Sequence, residues 1–144
     1  MDGDVTTNAQ LGNTRSGKMI SVIFTSTSET LKALEKASEL AKPLSADIAV
    51  IVVQVVPFPL SLDTPPISIE TVLKGFEECT RQFPEKIRVF SYLCRDEMDG
   101  FKRALKSDRP VVIGTTKSLL PTREERLAQN LRHAGYEVIL VNQE

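Results

Sequence analysis

Two short stretches carry the side chains best suited to holding a ligand. One is "TSTS", residues 25–28, with four hydroxyls in a row ahead of a helical pattern. The other is "GTTKS", residues 114–118, with a glycine, two threonines, a lysine and a serine. Hydroxyls, backbone amides and an ammonium together can hold an anion at a helix N-terminus. The candidate cleft comprises Thr25, Ser26, Thr27, Gly114, Thr115, Thr116 and Lys117. Val55, near the end of the second apolar run, completes it. On spacing alone, the structural roles of the same residues come first: Ser and Thr cap helices, and glycine turns the chain. Glu124 and Glu125 follow the second stretch closely, and a phosphate would be repelled by both.

Other chemistry has little support. Cys79 and Cys94 form no CxxC motif, and His133 is the sole histidine, so a metal cluster lacks ligands. The cysteines read as buried or half-buried thiols of a reducing compartment. His133 lies late in a helical pattern, remote in sequence from any serine it could activate. No acid–base pair or activated nucleophile stands out, which points away from an enzyme and its cofactors.

The elements that must position these residues alternate strictly. "MISVIFT" (19–25) is an apolar, β-branched strand. The next stretch has Leu31, Leu34, Ala37, Leu40 and Ala41 on one helical face. Ser26 or Ser28 caps it, and Ser26 with Glu29 fits a capping box. "DIAVIVVQVV" (47–56) is apolar on both faces, as a buried parallel strand is, and Gln54 interrupts it. A proline-rich loop precedes a helix expected over 69–82, with Ile69, Val72, Leu73, Phe76 and Cys79 inward. "IRVFSYL" (87–93) is a third strand. A weaker helix spans 97–107, with Met98, Phe101, Ala104 and Leu105 inward. "PVVIG" (110–114), a helix at 123–134 and "EVILVN" (137–142) complete the pattern. This is a single-domain, three-layer α/β/α arrangement, a Rossmann-like parallel sheet covered on both faces.

The chain has 144 residues, 41% of them hydrophobic, which suits one domain over 18–144. Residues 1–17 read as a flexible polar tail with no signal peptide. The net charge of −1, with both signs dispersed, gives no footprint for nucleic acid or an anionic membrane. No apolar run approaches the ~20 residues of a membrane span. The expected location is cytoplasmic.

From Met19 to Asn142 the chain resembles the universal stress protein family. The opening strand, helix and second strand, "ISVIFTSTSETLKALEKASELAKPLSADIAVIVVQVVP", carry the resemblance. So do the closing helix and last strand, "LRHAGYEVILV". The resemblance implies a five-stranded sheet in the order 3-2-1-4-5 and a homodimer paired through the last strand. ATP-binding members carry an aspartate at the end of the first strand, where this chain has Thr25. They also carry G-x-x-G-x9-G-[S/T] after the fourth strand. Gly114 matches its first glycine, Lys117 occupies the second, and Glu124 and Glu125 fall on the closing Gly-Ser pair. Thr122 with Glu125 instead spells a capping box, Leu127 and Leu131 face inward, and Gly135 ends the helix. The implied function is that of a regulatory, stress-associated protein acting through a protein partner without catalysis, with ATP or AMP as cofactor disfavoured. The alternative is an adenine-nucleotide sensor, or the cytoplasmic regulatory domain of a transporter.

Overall fold

The computed structural model describes residues 5–6, 18–62 and 67–143. Strands β1 (Val5–Thr6), β2 (Met19–Ile23), β3 (Asp47–Val55), β4 (Ile87–Cys94), β5 (Val111–Thr116) and β6 (Val138–Gln143) form one sheet. Its order is β1-β4-β3-β2-β5-β6, and every pairing is parallel. Counted over the five principal strands, that is the expected 3-2-1-4-5 order. Helices α1 (Thr27–Ala41), α2 (Ile69–Val72), α3 (Phe76–Thr80), α4 (Glu97–Ala104) and α5 (Arg123–His133) cover it.

The sheet is buried on both faces because each central strand alternates between two cores. Ile20, Val22, Ile48 and Val50 meet Leu34, Ala37, Leu73 and Phe76 on the side of α1 and α3. Met19, Ile23, Ile51 and Ile113 meet Phe101, Leu127 and Leu131 on the side of α4 and α5. Helix α1 needs no bulk along its inner face: Ala33, Ala37 and Ala41 are fully buried, which lets its axis lie close to the strands.

Three elements differ from the expected pattern. The helix expected over 69–82 is broken into α2 and α3. Gly75 adopts a left-handed conformation (φ 80°) between them, which a glycine takes without a Cβ penalty. The β-branched Ile69, Thr71 and Val72 give a longer helix little intrinsic support. The helix expected to reach residue 107 ends at Ala104, where the chain turns extended at Leu105. The third difference lies in the stretch read as a tail. Val5–Thr6 pairs with Val89 and Phe90, adding a sixth strand on the outer edge of β4. An open strand edge offers unpaired N–H and C=O groups to any extended segment nearby. Residues 1–4 and 7–17 lie outside the described residues.

The local signals at the chain's end act as read. Thr122 Oγ1 accepts from the Glu125 amide at 3.1 Å, while Glu125 Oε1 accepts from the Thr122 amide at 2.9 Å. Gly135 (φ 103°) closes α5: its amide donates to Arg132 O and the Tyr136 amide to Leu131 O, the Schellman pattern.

Candidate functional site

The order of the sheet reverses beside β2: β3 lies on one side of it and β5 on the other. Ligands of open parallel sheets bind outside the carboxyl ends of the strands at such a point. A cleft of ≈ 220 Å³ opens there, walled by the ends of β2 and β3, by Phe101 of α4, and by Arg123 and Leu127 of α5. A hollow of similar size lies between α3 and β4, at Phe76, Arg81 and Ile87, away from the crossover.

Thr25 lines the cleft. Its amide donates to Thr30 Oγ1 at 3.0 Å, and its own hydroxyl is shielded from solvent without a hydrogen-bond partner. Ser26 caps α1, accepting from the Glu29 amide at 3.3 Å, and Thr27 is the first residue of that helix. Ser26, and not Ser28, is therefore the cap. Val55 ends β3 facing outward, 41% exposed, and Val52, Val53 and Gln54 form the wall in its place.

Gly114 is not at a turn. It sits inside β5, opposite Val141. A Cβ there would fall 2.0 Å from the backbone oxygen of Glu29, so the glycine lets the first turn of α1 lie against β5. Thr115 is fully buried, its hydroxyl 2.7 Å from that of Thr122. Lys117 is exposed beyond β5 and does not line the cleft.

The structure thus joins the two hydroxyl-rich stretches through a residue of neither candidate set. Glu29 Oε2 accepts from Thr116 Oγ1 at 2.6 Å, and Glu29 Oε1 accepts from Ser26 Oγ at 3.2 Å. The second half of the expected Ser26–Glu29 capping box is therefore diverted. The Glu29 carboxylate serves two hydroxyls, bridging the ends of β2 and β5. Hydroxyls that donate to a carboxylate are not available to a phosphate, and the carboxylate itself repels one.

Sequence reading also missed Gln54, Glu97 and Arg123 as wall residues. Arg123 Nη2 donates to Glu97 Oε2, tying α5 to α4 across the rim. Gln54 had a visible signal, being the polar residue that breaks an apolar strand. The Glu97–Arg123 pair had none, since it forms only when two helices meet. Close by, Cys94 is buried against Gly100, and its Sγ lies 3.6 Å from Gln54 O. Burial, with Asp96 and Glu97 nearby, pushes the Cys94 thiol up from its ordinary range, so it stays protonated and inert. His133 is exposed in the last turn of α5. No group of three or more metal-ligating side chains occurs among the described residues.

The Thr115–Thr122 contact sets a prediction. Thr122→Ala removes the cap of α5, worth about 1 kcal/mol. It also strands the buried Thr115 hydroxyl, at a cost of about 1–3 kcal/mol. Urea unfolding should show the summed loss, and Thr122→Ser should restore most of it.

Sheet order, layering and the position of the cleft define a Rossmann-like α/β domain with a site at its strand crossover. No family model matches the chain, and no curated protein does. Solved structures do. One is a protein from the universal stress protein family from Burkholderia pseudomallei: 20% identity, TM-score 0.53, covering 89% of this chain and 98% of that one. Another is a universal stress protein in complex with cAMP: 15% identity, TM-score 0.56, covering 86% of this chain and 95% of that one. At such identities the likeness is one of fold, and the chain has the universal stress protein fold.

Proposed function

We propose that the protein is a regulatory protein of the universal stress type, working in the cytoplasm through a protein partner and without catalysis. The observation that supports this is the Glu29 carboxylate bound to Ser26 and Thr116, in the place a phosphate tail would need. Glu124 and Glu125 add negative charge at the start of α5, where a phosphate would otherwise meet bare amides. The partner reading draws on the loops at the same end of the sheet. Phe58 is 83% exposed, Leu120 is 75% exposed, and Leu60, Leu62, Ile67 and Leu119 are exposed as well. Exposed apolar groups gathered at one end of a molecule are typical of interaction surfaces.

Titration calorimetry with ATP and magnesium tests the closed phosphate place. No heat of binding is expected at micromolar protein, and the purified protein should release no nucleotide on denaturation. A Kd of about 10 μM or tighter, some −7 kcal/mol, would reject the reading.

We also propose a homodimer through β6. Among the described residues this strand pairs on one side only, with β5, and its apolar edge invites a second copy. Light scattering should give about twice the chain mass of 16.0 kDa; a mass near 16.0 kDa would rule the dimer out.

A second reading, a small-ligand sensor, is favoured by the unpartnered Thr25 hydroxyl in the cleft wall. The cAMP-bound protein of the same fold supports a ligand as such. The carboxylates around this chain's cleft disfavour a phosphorylated one.

A further inference from the structure

The cleft has three properties that together select a ligand. Its walls are mostly apolar, with Phe24, Val52, Val53, Phe101 and Leu127 around it and Ile67 and Val72 at its edge. Its two charged lining residues, Glu97 and Arg123, are paired with each other, so neither calls for a counter-charge. Two of its wall residues carry polar atoms shielded from solvent that meet no partner: Thr25 Oγ1 and Gln54 Nε2. Each such atom costs roughly 1–3 kcal/mol while unpaired. Folding alone would favour valine and leucine at these positions, in strands that are otherwise apolar.

We propose that the cleft binds a small, flat, uncharged heteroaromatic molecule that presents a hydrogen-bond acceptor to Gln54 Nε2 and a polar edge to Thr25 Oγ1. This deepens the small-ligand reading and is independent of the protein-partner reading. The apolar walls take the faces of the ring, with Phe24 and Phe101 available for aromatic contact. The volume of ≈ 220 Å³ lies below the ~300–1,000 Å³ of drug-sized sites, so the ligand is of one- or two-ring size. Negative charge is excluded because the exit toward β5 is held by Glu29. A short rotation of the Gln54 amide or the Thr25 hydroxyl replaces an unmade hydrogen bond with a made one. A site whose polar groups are buried and waiting discriminates strongly against ligands that leave them unpaired.

The test is chemical-shift mapping on the ¹⁵N-labelled full chain with four probes: adenine, benzimidazole, indole and ATP. Adenine and benzimidazole, which carry ring acceptors, should shift the Gln54 side-chain amide and the backbone amides of Thr25 and Val53. Indole, which offers no ring acceptor, should shift the apolar wall without the Gln54 amide. ATP should shift none of them. Gln54→Leu, close in shape, should weaken adenine by at least about tenfold, the equivalent of about 1.4 kcal/mol. The same variant should leave indole unchanged, and its melting temperature should equal or exceed that of the parent. Thr25→Val repeats the comparison should Gln54→Leu fold poorly. If no probe moves the cleft resonances, the cleft is not a ligand site and the small-ligand reading falls with the proposal. If ATP binds as tightly as adenine, the site stands but its exclusion of charge is wrong. If Gln54→Leu and Thr25→Val both bind adenine as the parent does, the two polar atoms are not recognition groups and the proposal is rejected.

Discussion

Gly114→Ala is expected to lower the melting temperature by about 10 °C or more, for a loss of at least ~3 kcal/mol at roughly 2–4 °C per kcal/mol. The added methyl would meet three atoms of the Glu29 backbone, at 2.0, 2.8 and 3.3 Å. A flexible side-chain end could swing aside, but here both parties are backbone. Glu29 is in the first turn of α1, pinned by the Ser26 cap and by its own side chain's bond to Thr116. Gly114 is held in β5 by the parallel ladder opposite Val141. Relief therefore requires α1 to tilt off the sheet, opening the contacts of Ala33, Leu34 and Ala37. Calorimetric melting of the variant beside the parent measures the effect. A fall of under about 3 °C, the equivalent of ~1 kcal/mol, would show that α1 and β5 have slack between them. The same experiment separates two roles for this glycine. A glycine kept for phosphate binding would leave stability nearly intact when replaced, whereas one kept for packing would not.

Phe76→Ala should cost about as much, by an opposite mechanism. Phe76 is fully buried, and truncating a buried Phe removes roughly 3–5 kcal/mol through lost transfer energy and the cavity left behind. Its ring meets Phe24 edge-on, centroids 5.2 Å apart at 89°, a pairing worth a further ~0.5–1.5 kcal/mol. Helix α3 has only five residues, too few to hold itself without this anchor. Chemical denaturation should show a midpoint shift at an unchanged slope if unfolding stays two-state. Phe24 also lines the ligand cleft, so the cavity would loosen its wall. Phe76→Leu, which refills much of the volume, should recover about half of the loss. A Phe76→Ala loss of under about 1 kcal/mol would mean that α3 is not anchored through this residue.

The alternation of strands and helices was legible residue by residue, because it rests on periodicity and on local caps. Apolar runs of strand length, the Thr122–Glu125 box and Gly135 each act within a few positions of themselves. Tertiary contacts overrode local signals where those were weak. The Ile69–Val72 turn is rich in β-branched residues, and Gly75 broke the helix expected there. The open edge of β4 accepted Val5–Thr6 from a stretch with almost no apolar content. The candidate site was the least legible part. Its hydroxyl-rich stretches could be found by type, but the residue that links them could not. Glu29 and Thr116 are 87 positions apart, and the Glu29 side chain looked committed to a local capping box. Only the pairing of β2 with β5 brings them within hydrogen-bond reach. The same crossover explains Gly114, whose missing side chain answers to a helix far away in sequence. Patterning by itself determined which segments are strands and helices. Sheet topology decided which polar groups are satisfied and which, like Thr25 and Gln54, are left without a partner, because hydrogen bonds are set by distances that sequence spacing does not contain.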